Sequence, residues 1–471
     1  MAQTATMQDI QTQQKTIAEK DIGSNLHPYT NLLQHEQIGP KTYVRGEGIY
    51  IWDEHGRKFI EGLAGLWCTS LGFSEQRLVD AATRQLQTLP YNHSFAGRTA
   101  PVVAELADKL LSVAPASMSK AYFVTSGSEA VDSAVKFTWY YNNALGRPEK
   151  KKIISREKGY HGVTIVGTSL TAIPTIQEAF DAPLERFKQT GTPHYYRCGE
   201  PGESEEEFAD RRARELEELI IAEGPDTVAA LIAEPLMGAG GVIPPPKTYF
   251  QKIQRVLKKY DVLLIADEVI NGFGRTGNPW GCDTYDIVPD IVTCAKQISS
   301  AYIPIGATMI SEPIYQAIAQ ASARLGVFGT GFTYTGHPVG AAVALETLKI
   351  YEERNMLAHV REVMVPFQNR LREFGTHPLV GEARGKGLIG AVELVADKDT
   401  KQPFDPEMKV AFQVYQQCLE NGLIVRALPS GDTVGICPPL IITDRQINDL
   451  FDALESALDT VHANLKSANN A

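Results

Sequence analysis

VLLIAD, residues 262–267, is an apolar run that ends on a carboxylate; IVTCA, residues 291–295, has the same form and is followed by Lys296. Neither alternates apolar with polar positions. Such runs suit central parallel strands covered on both faces. AYFVT (121–125), KIIS (152–155), TIVGTSL (164–170), VAALIAE (228–234) and GATMIS (306–311) read the same way. Amphipathic segments lie between them, such as residues 204–222, opened by Ser204 and an acidic first turn. The texture from 76 to 335 predicts a βα-alternating α/β domain around a mostly parallel sheet.

The flanks read differently. YVRGEGIYIWDEHGRKFI (43–60) has the form of hairpin strands broken by glycine turns. Residues 340–374 predict a long helix, 387–395 and 423–426 strands, and 444–465 a closing helix. The expected organisation is a flexible N-terminal extension (1–24), the N-terminal part of a small domain (25–75), the large domain (76–335), and the rest of the small domain (336–471). The small α+β domain is thus formed by both chain ends, with a bridging helix near 340–365.

Charge excludes some functions. Of 471 residues, 45 are basic and 56 acidic, a net charge of −11 that argues against a nucleic-acid partner. The six cysteines lie far apart without CxxC or Cys/His metal spacing, so reduced thiols in a cytoplasmic protein and no metal are expected. The first 24 residues lack the apolar core of a secretory signal, and Asp9, Glu19 and Asp21 without an arginine argue against a mitochondrial presequence. No apolar run nears the roughly 18 residues that span a bilayer.

Ligands of open α/β sheets gather beyond the carboxyl ends of the strands. After AYFVT, Ser126-Gly127-Ser128-Glu129 opens a helix. Small residues there, unpaired N–H groups and the helix dipole form a cradle for a phosphate; plain capping by Ser126 or Ser128 is the competing reading. Asp267 either caps or is solvated, or it holds a buried cation such as a protonated ring nitrogen. Lys296 is either solvated or desolvated in a crevice. Burial would lower its pKa and leave a neutral amine able to form a Schiff base. Cradle, carboxylate and lysine in this order point together to pyridoxal phosphate.

TSGSEAVDSAVK (125–136), YHGVT (160–164), AEPLMGAGG (233–241), ADEVINGFGRTG (266–277), AKQISSAYIPIGA (295–307) and GFTYTGHPVGAA (331–342) carry a wider likeness. Over about residues 25 to 460 the chain resembles the class III aminotransferases, which include the ω-transaminases. The resemblance implies the pyridoxal-phosphate-dependent transferase fold (fold type I). It assigns the imine-forming lysine to Lys296, the ring-nitrogen carboxylate to Asp267 and the phosphate loop to Gly127 and Ser128. Tyr160 would stack on one face of the ring, Val269 on the other; alone, Tyr160 also reads as aromatic core. Thr333 matches a threonine that reaches the neighbouring subunit's cofactor, which implies a shared site in a homodimer or a tetramer. Met237 stands where many relatives have glutamine. Glu234 either caps or supports the cofactor from behind.

GLAGLWCTSLG (62–72) resembles the pocket segment of the pyruvate-dependent ω-transaminases, with Trp67 as its wall or as plain core. Arg426 matches an arginine that grips a substrate carboxylate in that subgroup, and an unremarkable surface role is its alternative. The expected activity is transfer of an amino group from a primary amine (polyamine, ω-amino acid or bulky amine) to an α-keto acid, with pyruvate giving alanine, by a ping-pong mechanism. An aminomutase, racemase or decarboxylase on the same fold is the alternative.

Overall fold

The computed structural model describes residues 15–429 and 431–469. The chain divides into a small N-terminal unit, residues up to Arg45 together with Ile51–Lys58, and a main unit comprising Gly46–Tyr50 and Phe59 onward. Residues 1–14 of the expected extension lie outside the described residues. Within that extension, Ile17–Ser24 is a helix that Thr16 and Glu19 cap reciprocally.

The main unit is built on a seven-stranded sheet in the order Met118–Val124, Gly306–Ser311, Ile291–Cys294, Leu263–Asp267, Val228–Ala233, Lys152–Arg156, Phe187–Thr190. All neighbours pair in parallel except Gly306–Ser311, which runs antiparallel to both of its partners. Val228–Ala233 and Leu263–Asp267 are buried at every position, which is why they lack alternation. Val131, Ile153, Ile232 and Ile265 belong to one buried cluster, and Leu231, Leu264, Val292 and Met309 to another.

Two expectations fail here. TIVGTSL is a helix, Ile165–Leu170, rather than a strand. Thr164 Oγ1 caps it by accepting the Gly167 N–H at 3.0 Å, and Gly167 packs on the Gly162 backbone where a Cβ would come within 2.9 Å. The single long helix is two, Pro338–Glu353 and Met356–Glu373, because Asn355 turns the chain in the left-handed region at φ 47°. Phe187–Thr190, an edge strand, is an element that sequence reading omits.

A second, antiparallel sheet joins Val380–Lys386, Ile389–Leu394, Thr433–Ile436 and Arg426–Ala427. Phe367 and Phe451 meet in the core beside it, ring centres 5.1 Å apart. Leu423 and Ile424 pair in parallel with Ile60 and Glu61, so both ends of the chain meet in one strand pair. No described helix is long and apolar enough to cross a membrane.

Candidate active site

The carboxyl ends of five strands that run in the same direction open onto one cavity. It is lined by Gly127, Ser128, Tyr160, His161, Gly162, Glu234, Asp267, Val269 and Lys296, among others. Six of the nine residues expected at the site are therefore brought together.

The helix Gly127–Ala144 begins at the end of Met118–Val124, and the Ser126 hydroxyl caps it through the Glu129 N–H at 3.1 Å. Capping by Ser126 leaves Gly127 and Ser128 at the cavity with the amino end of the helix. Gly127 is held close: a Cβ there would stand 3.1 Å from Val269. The Ser128 hydroxyl accepts the Val163 N–H at 3.1 Å, tying the cradle to the loop after Lys152–Arg156. Gly162, in that loop, has φ 103°, and a Cβ on it would come 2.5 Å from Ser128 Oγ.

Asp267 ends the strand Leu263–Asp267 and is buried. One carboxylate oxygen accepts the Val269 N–H at 3.1 Å; the other lies 2.7 Å from His161 Nδ1. His161 Nε2 is buried without a partner, so the proton belongs on Nδ1, where it is donated to Asp267. The carboxylate is thereby oriented from two sides. His161 is the functional residue that sequence reasoning misses. It sits beside Tyr160 in the YHG motif, but no pattern links it to a carboxylate 106 residues away.

Lys296 stands just past Ile291–Cys294, half-buried, at φ 50°. Left-handed backbone costs a non-glycine residue roughly 1–2 kcal/mol. The turn is pinned by Gln297, whose side-chain amide donates to the Ile270 and Gly272 carbonyls at 2.8 and 2.9 Å. Burial holds the Lys296 amine below its usual pKa, and the charge of Asp267 opposes that shift only in part. A desolvated amine and a buried carboxylate thus line the same cavity.

Glu234 is fully buried, accepts the Tyr160 and Gly238 N–H groups at 3.1 and 2.8 Å, and has its pKa raised by burial. Of the two expected readings the capping one is seen: Glu234 caps the backbone that carries Tyr160. Met237 is buried, and its sulfur lies 3.6 Å from the Thr192 hydroxyl.

The other three expected residues stand outside this lining. Trp67 is 1% exposed, at φ 65°, in a cluster with Leu428 and Ile270, the last of which lines the cavity. Arg426 is half-buried on the antiparallel sheet opposite Gly435. Thr333 is exposed, and its carbonyl accepts the Tyr91 hydroxyl at 2.8 Å.

The residues fit pyridoxal phosphate. A helix start offers N–H groups to a phosphate, an oriented carboxylate suits a cationic ring nitrogen, and a desolvated amine suits an aldehyde. Comparison with known proteins agrees. The family model Aminotransferase class-III matches residues 34–458. Gamma aminobutyrate transaminase 1, mitochondrial, of Solanum lycopersicum is 51% identical over 434 residues, 92% of this chain and 84% of that protein. The omega transaminase from Pseudomonas jessenii solved in complex with PMP is 51% identical, with a TM-score of 0.93 over 95% of this chain and 98% of that one. A solved transaminase with L-ala is 55% identical, with a TM-score of 0.88 over 90% of this chain and 100% of that one. A match over most of the length, and a cavity whose chemistry suits that cofactor, lead to one conclusion: the chain belongs to the class III aminotransferases, pyridoxal 5'-phosphate enzymes of fold type I that move an amino group from an amine donor to a keto acid acceptor.

Proposed function

We propose that the donor is a terminal primary amine, an ω-amino acid such as 4-aminobutyrate foremost, and that the acceptor is pyruvate, which leaves as alanine. The observation that carries the reading is the desolvated Lys296 amine facing the oriented Asp267 carboxylate across one cavity. The donor class is supported by the 4-aminobutyrate transaminases among the relatives, and the acceptor by the relative solved with L-ala.

When bound, the cofactor would supply an aldehyde that takes up the donor nitrogen and a conjugated ring able to delocalise the electron pair left on carbon when the proton beside the nitrogen is removed. In this reading Lys296 carries that proton, because an amine with a lowered pKa is competent both to accept and to give it. Asp267 keeps the ring nitrogen positive, and His161 and the Val269 N–H keep Asp267 in place. Tyr160 and Val269 flank the ring, while Gly127 and Ser128 hold the phosphate. Trp67 and Arg426 choose the substrate, Trp67 from behind Ile270 and Arg426 through the donor or acceptor carboxylate. Thr333 completes the phosphate site of a second subunit in a homodimer, consistent with its exposure on the single chain. A cytoplasmic location is also proposed; all six cysteines are free thiols, whereas the named plant relative is mitochondrial.

The test is a donor panel (4-aminobutyrate, putrescine, a bulky arylalkylamine) run with pyruvate or 2-oxoglutarate. Alanine is expected to form at least about tenfold faster than glutamate, a preference of roughly 1.4 kcal/mol in the barrier. Predominant glutamate would overturn the acceptor assignment. A second prediction concerns the cradle. Gly162→Ala strains the loop and pushes Ser128 from the phosphate, so the cofactor should bind about ten- to a hundredfold more weakly, a loss of ~1.4–2.8 kcal/mol. Equilibrium dialysis against graded cofactor concentrations measures it, and unchanged affinity would remove Ser128 from the phosphate site.

A further inference from the structure

We propose that Asp21, His27 and His35 form a binding site for a divalent transition-metal ion of the Zn²⁺ class within the N-terminal unit. Asp21 lies on the helix Ile17–Ser24, His27 in the following loop, and His35 on the helix Leu32–Ile38. Both imidazoles aim the same atom at the same oxygen: Nε2 of His27 is 2.7 Å, and Nε2 of His35 3.0 Å, from Asp21 Oδ1. The rings lie 4.2 Å apart, and all three ligand atoms fall within 4.8 Å of one another.

Protons alone satisfy this arrangement poorly. His27 Nε2 also lies 3.2 Å from the side-chain nitrogen of Asn25, which itself donates to Asp21 Oδ2 at 3.1 Å. If Nε2 is protonated to serve Asp21, it meets the donor of Asn25. If it is bare to serve Asn25, it meets the lone pairs of Asp21. A cation removes the conflict, since both Nε2 lone pairs and the carboxylate can turn to it. Asn25 then keeps its N–H donation to Asp21 Oδ2, and the His27 lone pair goes to the ion instead of meeting that donor.

The donor set selects the ion. Two imidazoles and a carboxylate suit Zn²⁺ and its Irving–Williams neighbours, whereas Mg²⁺ and Ca²⁺ favour all-oxygen shells. Tetrahedral ligands around Zn²⁺ stand about 3.4 Å apart, so each nitrogen needs to draw less than ~1 Å away from the Asp21 oxygen, now 2.7 and 3.0 Å off. The side chains are 10–27% exposed, shielded yet open to an incoming ion and one water. Bound metal would brace the two helices against each other. No spacing in the sequence announces the site, because the ligands are 6 and 8 residues apart on three different elements.

His194, Glu382 and Glu393 also converge, but they do not compete as a metal site. Arg384 pairs with both carboxylates and Arg197 with Glu393, so their lone pairs are already occupied by guanidinium groups.

Full-length, tag-free holoenzyme stripped with a chelator should bind one Zn²⁺ per chain with micromolar or tighter affinity in calorimetry. His27→Gln and His35→Gln should each weaken binding by at least about a hundredfold. His194→Gln should leave it unchanged. Co²⁺ in place of Zn²⁺ should give visible ligand-field bands without thiolate charge transfer, which separates this site from the free cysteines. Less than stoichiometric binding, full affinity in both His27→Gln and His35→Gln, or a thiolate band would overturn the proposal.

Discussion

Lys296→Ala is expected to lower kcat by at least about 10⁴-fold while the protein still folds and still takes up its cofactor. The fold should tolerate the change because the turn does not depend on the amine. Gln297 fixes the Ile270 and Gly272 carbonyls, and Arg275 donates to the Leu388 and Pro438 carbonyls at 2.9 and 2.7 Å. Alanine meets the same left-handed backbone cost as lysine, so no new strain arises. Small added amines should restore part of the proton transfer in single-turnover measurements, which a merely structural lysine would not permit. Activity within tenfold of the parent enzyme would remove Lys296 from the reaction. The cofactor-free protein offers a pH test of the same residue. The folded pKa of Lys296 is lowered from the 10.5 of a free lysine, so between the two values the unfolded chain binds more protons. Stability of the parent relative to Lys296→Ala should therefore rise with pH across that window. Denaturant titrations at stepped pH read it.

The residues at strand ends are the legible part of this protein. An apolar run with no alternation signals a strand covered on both faces, and the first polar residue at or after its end marks the place where ligands gather; Asp267 and Lys296 are found that way, and Gly127 by the small residues that open a helix just past such a run. Where local and tertiary signals conflict, the reading fails. TIVGTSL has the β-branched texture of a strand, but the cap on Thr164 and the Gly162–Gly167 contact impose a helix. FKQT, at the sheet edge, is too short and polar to stand out. Asn355 breaks a helix with a backbone angle that its side chain merely tolerates. His161 and the Asp21–His27–His35 cluster are illegible for a different reason. Their chemistry exists only after distant or differently oriented elements are brought together, and no periodicity encodes that.

Asp267→Asn is the second large effect: kcat should fall by about 10³-fold, with little change in KM for the donor. The substitution keeps shape but removes the negative charge that the positive ring nitrogen requires. It also disturbs the local hydrogen bonds. Asp267 accepts from both the Val269 N–H and His161 Nδ1, whereas an asparagine has one accepting oxygen for two donors. Its amide nitrogen must face one of them, or His161 must move its proton to the buried Nε2, which has no partner. An unpaired buried group of that kind costs about 1–3 kcal/mol. Charge loss and misalignment can be separated with a cofactor N-methylated on the ring, whose positive charge no longer depends on a carboxylate. If charge is what Asp267 supplies, the N-methylated cofactor should recover much of the activity of Asp267→Asn. His161→Asn, which leaves the charge but loosens its orientation, should lose only about 10- to 100-fold in kcat. Failure of the methylated cofactor to raise the rate of Asp267→Asn, with binding intact, would mean that the carboxylate acts through position rather than charge.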